Sequence, residues 1–416
     1  MKKKLLLLSV FACVSLFANT LTMQESIDKT LANHPDVKSF ALGVQQSKEG
    51  YKSAFADYLP QITLQAQYNP VQTFTTVSNG SFDTVDDHSW NMGASLKQKI
   101  WDFSKTSSVV AASKMDEDIS KLSLQEVKAL MAYKVKSLYK TMIVQQKAVE
   151  VREKDLEAKV AYYDQAKALV KQGLKTEADA SRFLSSVYVA KDDLAIAKSL
   201  YEKAKTSLCL YMGEKIEDGV ELEYELLEKK YNFDEDIKKE VLNNNYQLKI
   251  KSQNIDKNKL IYKAAKASHY GSLDAIASYN HFEVLNIYDS KLVGISLSVP
   301  LYSGGRVSAQ AQKAQIGMQI AKEQKASELL ALKDEVNGLV IDIKRYNKTI
   351  AAKKAQIVAA QETKNVLQAR YKEGLTTYIE VLDAVSVELN AKLGLLQTYY
   401  SKSIAIDTLE YLKGKI

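Results

Sequence analysis

Four stretches of the chain alternate apolar and polar residues with a period of two. From Ile62 to Asn69 the even positions are apolar, and from Ser89 to Ile100 they are apolar again, apart from Gln98. Leu273, Ala275, Ala277 and Tyr279 alternate with Asp274, Ile276, Ser278 and Asn280. Val293, Ile295, Leu297, Val299 and Leu301 alternate with Gly294, Ser296, Ser298 and Pro300. This period puts alternate side chains on opposite faces of a strand. It predicts two hairpins, at about 61–100 and 271–301, each closed by a polar loop. Strands of about ten residues suit a tilted membrane span, although a half-buried soluble sheet carries the same alternation. Tyr58, Trp90, Trp101, Tyr279 and Tyr302 stand near the strand ends, where membrane barrels carry aromatic girdles.

The rest of the chain carries helical spacing. Ser107 to Lys171 holds no proline or glycine and places apolar residues three and four apart, as in Leu130, Tyr133, Leu138 and Met142. A helix of about 65 residues rises roughly 100 Å. Gly173 breaks it, Thr176-Glu177-Ala178-Asp179 forms a capping box, and a second helix follows to about Tyr211. The pattern returns as a long helix from about Val307 to Lys372, a break at Gly374, and a box at Thr377-Tyr378-Ile379-Glu380. A last helix then runs to about Leu412. So long a helix needs a packing partner along its whole length. The returning helix covers one half, and helices before each hairpin, about 23–56 and 234–268, cover the other. The expected result is a long helical barrel or bundle, with 213–231 as a side layer of short elements.

The chain is written twice. Gln172-Gly173-Leu174-Lys175-Thr176 returns as Glu373-Gly374-Leu375-Thr376-Thr377, 201 positions on. Ile100 to Ser104 aligns with Pro300 to Gly304, and Leu31 to Lys38 aligns with Leu242 to Lys249 at a larger offset. An extra loop in the first copy, between Thr73 and His88 around Ser78-Asn79-Gly80-Ser81, accounts for the difference. The expected organisation is a leader at 1–18, a first repeat at 19–213, a linker at 214–235 and a second repeat at 236–416.

Composition narrows the class. Of 416 residues only four are proline (Pro35, Pro60, Pro70 and Pro300), which disfavours a turn-rich fold and permits very long helices. Two cysteines, Cys13 and Cys209, exclude a disulfide scaffold and a Cys-rich zinc site, and four scattered histidines argue against a His-based metal site. Lys2-Lys3-Lys4 followed by an apolar run to Ala18 reads as an export signal cleaved after Ala18. A lipoprotein cut before Cys13 is the weaker reading, because Phe11 fits it poorly. Losing the three lysines takes the net charge from +7 to +4. Lysines interspersed with Glu and Asp give no argument for nucleic acid. No later stretch is apolar for long enough to form a transmembrane helix.

Two segments carry a family resemblance: Val299-Pro300-Leu301-Tyr302-Ser303-Gly304-Gly305-Arg306, and Tyr371-Lys372-Glu373-Gly374-Leu375-Thr376-Thr377-Tyr378-Ile379-Glu380-Val381-Leu382-Asp383-Ala384. With the order of elements around them they resemble the TolC-like outer-membrane efflux protein family, over essentially the whole mature chain. The resemblance implies a mainly α protein with membrane β-structure. It is expected as a homotrimer sharing a twelve-stranded β-barrel in outer-membrane lipid, continued by an α-helical barrel into the periplasm. It also implies a passive channel of a tripartite efflux or type I secretion system, opened by a periplasmic adaptor and an inner-membrane pump. No cofactor or metal is implied. Strand number alone also requires oligomerisation if the strands lie in the membrane: four strands cannot close a barrel, and open edges are not tolerated in lipid.

By motif match the resemblance places a periplasmic gate at Tyr371, Thr376, Glu380 and Asp383, with the two carboxylates on one helix face. Tyr371 matches an aromatic that latches the closed state, while the basic residue common in the family at the position of Thr376 is absent. Gly173, Leu174, Gly374 and Leu375 match the turns that contact the adaptor. The residues alone support a plainer reading, in which Glu380 caps its helix and the glycines are helix C-caps. Two further departures stand out. Ser268 to Ser272 replaces the family's Leu-Pro, with Gly271 left to bend the chain, and Asp102-Phe103-Ser104 stands where the second copy has Gly304-Gly305. The Gly304-Gly305 pair lacks the Lys-Ser/Thr of a phosphate loop. No HExxH, Gly-x-Ser-x-Gly or other catalytic constellation is present, so no enzyme is expected. The competing reading is a periplasmic coiled-coil structural protein without a pore.

Overall fold

The computed structural model describes residues 20–78, 81–228, 236–284 and 286–415. The leader at 1–18, the Asn79-Gly80 turn and the 229–235 part of the linker lie outside the described residues. The first half runs β1 (Thr20–Leu21), α1 (Met23–Asn33), α2 (Pro35–Phe55), β2 (Gln61–Ser78), β3 (Ser81–Trp101), α3 (Lys105–Lys171) and α4 (Glu177–Met212). The second half runs β4 (Glu221–Leu222), α5 (Ile237–Asn244), α6 (Tyr246–Ala267), β5 (Ser272–Glu283), β6 (Ile287–Ser298), α7 (Arg306–Lys372) and α8 (Tyr378–Leu412). The long helices α3 and α7 each hold 67 residues, and α4 and α8 hold 36 and 35.

Each expected pre-strand helix is broken in two. Pro35 opens α2 at the first helical position, after His34 has turned to an extended conformation. In the second half Asn245 breaks the helix and caps α6, its side chain accepting from the Leu248 N–H at 3.1 Å. A second correction concerns Thr73 to His88, read as a loop. Strand β2 continues to Ser78 and β3 resumes at Ser81, with Thr73 opposite Asp86 and Thr75 opposite Thr84. Threonine, valine and phenylalanine in this stretch favour the extended ladder over a loop.

Two compact units result. One takes residues 38–127 and 244–333 and carries a four-stranded antiparallel sheet in the order β2-β3-β5-β6. Its register sorts the side chains by chemistry. Ile62 lies opposite Leu96, Leu96 opposite Ala277 and Ala277 opposite Val293, which makes one apolar row. The other face pairs Thr63 with Ser95 and Ser95 with Ser278. The apolar face is open to the surroundings of the single chain, with Val293 89% and Ile295 70% exposed. Gly271, at φ +83°, leads into β5, and a Cβ there would lie 1.9 Å from the Ser298 carbonyl oxygen.

The chain leaves the first hairpin through Phe103 (φ +54°) and Ser104 (φ +70°), and the second through Gly304 (+61°) and Gly305 (+79°). The same left-handed step is therefore made once by glycines and once by two residues that carry a Cβ. Asp102 supports the strained version: its Oδ2 accepts from the Thr106 N–H at 2.8 Å and from the Thr106 hydroxyl at 2.5 Å.

The other unit takes the described residues up to Val37, with 128–243 and 334 onward. Its main core joins Ile27, Val135, Tyr139, Met142, Ile143, Leu208 and Met212. Tyr139 donates to the Leu21 carbonyl at 2.5 Å and accepts from the Glu223 N–H at 3.1 Å, which ties the parallel β1–β4 pair to α3. Burial pushes its phenol pKa up to about 12. Among the described residues no helix is long and apolar enough to cross a membrane.

Candidate gate at the paired helix turns

Two helix turns carry the sequence-predicted residues, and both lie in the second of these units. At the first, Gly173 (φ +73°) ends α3: its N–H donates to the Val170 carbonyl at 2.9 Å, and the Leu174 N–H donates to Leu169 at 3.0 Å. At the second, the Gly374 N–H (φ +75°) donates to Tyr371 at 3.1 Å and the Leu375 N–H to Arg370 at 2.8 Å. These are the two bonds of a Schellman motif, which needs a left-handed residue at the glycine position. Leu174 and Leu375 are left 64% and 66% exposed.

The next helix starts alike in both. The Thr176 N–H donates to Asp179 Oδ2 at 3.1 Å, and the Thr377 N–H donates to Glu380 Oε2 at 2.9 Å. Each threonine Oγ1 accepts the return bond from the N–H three residues on, which completes both capping boxes. The Thr376 hydroxyl also donates to Glu380 Oε2. This hydroxyl, then the Thr377 backbone and side chain, hold the Glu380 carboxyl below its ordinary pKa.

The four gate residues thus fall in different places. Tyr371 is 2% exposed and Thr376 is buried, whereas Glu380 and Asp383 are exposed. Asp383 lines a shallow groove between α7 and α8 with Ala360, Thr363, Leu367 and Val387. Glu380 is engaged in its own cap. The hydroxyl of Tyr371 meets neither carboxylate, and it has no hydrogen-bond partner among the described residues.

Tyr371 instead joins an aromatic cluster absent from the sequence-based expectation. Phe183 on α4 is wholly buried, with its ring centroid 5.6 Å from Tyr371 (69°), 6.2 Å from Tyr378 (73°) and 6.1 Å from Tyr162. The first two are edge-to-face contacts. Lys175 places its Nζ 4.7 Å from the Tyr371 ring centroid, and Arg182 lies 4.8 Å from that of Tyr378. Burial, and then the charge of Asp179, raise the Tyr371 pKa. Phe183 keeps the three- and four-residue helical spacing that links Ala180 to Val187. That spacing marks a core position and nothing in it points to a tip role.

Near this cluster the unit holds a cavity of about 300 Å³, lined by Asp155, Tyr162, Lys364, Val385, Glu388 and Lys392 among others. Glu388 bridges Lys364 at 2.7 Å and Lys392 at 2.6 Å. Burial pushes its carboxyl up, but the two lysines outweigh this and hold it below the ordinary value. Among the described residues no group of three or more His, Cys, Asp or Glu is placed to hold a metal.

The sequence model of the outer membrane efflux protein family matches the chain twice, over residues 26–214 and 238–415. The chain belongs to the outer membrane efflux protein family. Membership places it in the outer membrane, in a family of transport channels. It is 32% identical to the outer membrane protein TolC of Escherichia coli over 134 residues, 32% of this chain. That match spans 27% of the length of the relative. It is 22% identical to the outer membrane efflux protein BepC of Brucella suis, over 98% of this chain and 90% of the relative. The fold matches the outer membrane protein VceC of Vibrio cholerae with a TM-score of 0.82 at 14% identity, over 94% of this chain and 96% of that one.

Proposed function

We propose that the protein is a passive exit duct of a tripartite efflux or type I secretion system, closed at its periplasmic end and opened by partners. The observation that carries this reading is the sheet. It has an exposed apolar face, a hydroxyl- and amide-rich opposite face and two outer strands, β2 and β6, that end the ladder. An apolar face suits lipid, and unpaired edges are not tolerated there. Four strands fall short of the eight that closed membrane barrels start from. Three copies, pairing β6 of one with β2 of the next, give a homotrimer with a closed twelve-stranded barrel. The paired order of elements supports two repeats, 19–213 and 236–416, joined by the 214–235 linker.

The helices continue the duct into the periplasm. Tyr371, Thr376, Glu380 and Asp383 sit at its narrow end, where three copies of the two carboxylates surround one axis and favour cations. Gly173-Leu174 and Gly374-Leu375 offer the adaptor two like turns, each with an exposed leucine. The inner-membrane pump supplies the energy, and the duct itself works without cofactor or metal.

The test is planar-bilayer conductance of the purified mature protein, beside a Glu380→Ala/Asp383→Ala variant. The expected result is a small cation-selective wild-type conductance that rises in the variant. Large conductance in both discards the gate assignment and keeps the duct. Folded protein that never inserts favours a periplasmic structural protein without a pore.

A further inference from the structure

Helix α6 carries three lysines on one face. Lys259, Lys263 and Lys266 follow one another at helical intervals of four and three, and all three are exposed. With Asp256, Leu260 and Tyr262 they line an open groove of about 480 Å³. Among the described residues none of the three meets a carboxylate, whereas Lys257, on another side of the helix, bridges Asp116 of α3 at 2.9 Å. Gln247 reaches Glu126 of α3, and Lys325 of α7 donates to Ser252 Oγ at 3.1 Å. Helix α6 thus lies between α3 and α7, and β5, which follows it, is an inner strand of the sheet. Pairing of copies at the outer strands β2 and β6 would leave the lysine face uncovered.

This face runs on into the apolar face of the sheet. His269 and Tyr270 continue the winding of α6, their N–H groups donating to the Lys266 and Ala267 carbonyls at 3.2 and 3.1 Å, so Tyr270 stands one turn beyond Lys266. The Tyr270 ring lies 5.2 Å from that of Phe103, and the Phe103 ring lies 6.1 Å from that of Trp101. Trp101 is opposite Leu273, and Leu273 is opposite Leu297 on the apolar face. Three exposed rings therefore join that face to the lysines. Aromatic rings beside a row of cations with long apolar stems suit a membrane–water interface. The first repeat holds a weaker copy. There Lys48 and Lys52 take the places of Lys259 and Lys263, but Glu49 bridges Lys52 at 2.7 Å and Phe55 replaces Lys266.

We propose that Lys259, Lys263 and Lys266 dock the anionic headgroups of phospholipids in the periplasmic leaflet of the outer membrane. The docking rests on the exit-duct reading above, which puts the sheet in lipid and the helices on the periplasmic side. The ammonium groups meet the headgroup phosphates, and the lysine stems and Leu260 offer the groove its apolar lining. A stripe lining the duct would instead continue the polar row of Ser95 and Ser278. The path through Trp101, Phe103 and Tyr270 sets the lysines on the lipid side.

The test titrates the purified mature protein in neutral detergent with phosphatidylglycerol, phosphatidylcholine or inorganic phosphate, and counts retained lipid by native mass spectrometry. Three variants stand beside the wild type. The triple change Lys259→Gln, Lys263→Gln, Lys266→Gln removes the charges, the same three lysines changed to arginine keep them, and Lys249→Gln removes one charge about 15 Å farther along α6. A lysine near an anionic surface contributes about five-fold, so the glutamine triple variant is expected to lose about 100-fold in phosphatidylglycerol affinity. The arginine variant and Lys249→Gln are expected to bind as wild type does, and salt is expected to weaken the wild-type preference. An undiminished preference in the glutamine variant, or an equal loss in Lys249→Gln, overturns the docking. Equal competition by inorganic phosphate overturns it too, in favour of a plain anion site. Unchanged lipid affinity with a reversal potential shifted toward cations places the stripe in the duct, which overturns the docking and leaves the duct standing. Folded wild type that neither inserts into planar bilayers nor retains any lipid overturns the duct and the docking together.

Discussion

Lys140 Nζ lies 2.5 Å from Asp407 Oδ2, and both side chains are buried. The pair joins α3 to α8 across 267 positions of sequence. Burial pushes the Asp407 carboxyl above its ordinary pKa, and the charge and hydrogen bond of Lys140 pull it back only in part.

Removing one partner should therefore cost more than removing both. Asp407→Leu takes from the buried Lys140 ammonium the carboxylate bonded to it, and a loss of about 3–5 kcal/mol is expected. Lys140→Met with Asp407→Leu should recover most of it. Denaturant midpoints in detergent, with unchanged slopes, check the difference. The pH dependence has a definite sign. A carboxyl whose folded pKa is raised contributes stability below its unfolded pKa and loses it as pH rises through the folded value. Wild type should thus lose stability relative to Asp407→Asn as pH rises from about 3.8, the ordinary Asp value, and the gap should level off above the folded pKa.

The capping boxes separate helix stability from gating. Thr176→Ala and Thr377→Ala each remove one N-cap acceptor, and each should cost about 0.5–2 kcal/mol. Both should lower the thermal midpoint of the unit to a similar degree, because the two caps have the same bonds. Only the change at Thr377 should alter conductance under the exit-duct reading, since Glu380 is the carboxylate it positions. The Glu380 contribution should be present near neutral pH and fade as pH falls through its lowered folded pKa. Equal conductance changes in both threonine variants would separate the gate from Glu380.

What sequence reasoning reached, and what it missed, follows from the range of the forces involved. The breaks at Gly173 and Gly374, and the caps at Thr176 and Thr377, are local: they need only a left-handed residue and a side-chain oxygen near four orphan amides. The facing of the strand side chains is local too, since the period of two assigns Ile62 and Thr63 to opposite faces without a partner in view. The broken helices at His34 and Asn245 were hidden because the periodicity continues across each break. Phe183 was hidden for another reason. Its three ring partners are 21, 188 and 195 positions away in sequence, and only the packing of four helices collects them.

The first strand exit carries a strain that the second avoids. Ser104 holds φ +70° with a Cβ, at the position where the second half has Gly305 or Gly304. A left-handed residue other than glycine costs about 1–2 kcal/mol, and glycine returns part of that through unfolded-chain entropy. Ser104→Gly should then stabilise the protein by up to about 1 kcal/mol, and Gly304→Ala should destabilise it by a similar amount. Opposite shifts in the unfolding midpoint are the expected readout. A destabilised Ser104→Gly would show that the left-handed step at Ser104 stores no strain that glycine relieves.

The sheet offers the sharpest test of where the lipid lies. Ile295 stands opposite Ala275 on the apolar face, and Ser296 stands opposite Asp274 on the polar face. Adjacent residues thus face opposite surroundings. If the apolar face meets lipid, Ile295→Lys must place an ammonium near the hydrocarbon core, at a cost of about 2–4 kcal/mol at the midplane. Ser296→Lys places the same group in water inside the barrel and should leave folding intact, while shifting the reversal potential of the pore toward anions. The alternation predicts the same contrast one step along, at Val293 and Gly294, where Val293 is the residue that tolerates no charge. Membrane-inserted protein recovered after expression, and its heat stability in detergent, measure the first effect. Ion selectivity in bilayers measures the second. Equal tolerance of lysine at 295 and 296 would mean that both faces meet water, and the sheet would then be no part of a membrane barrel.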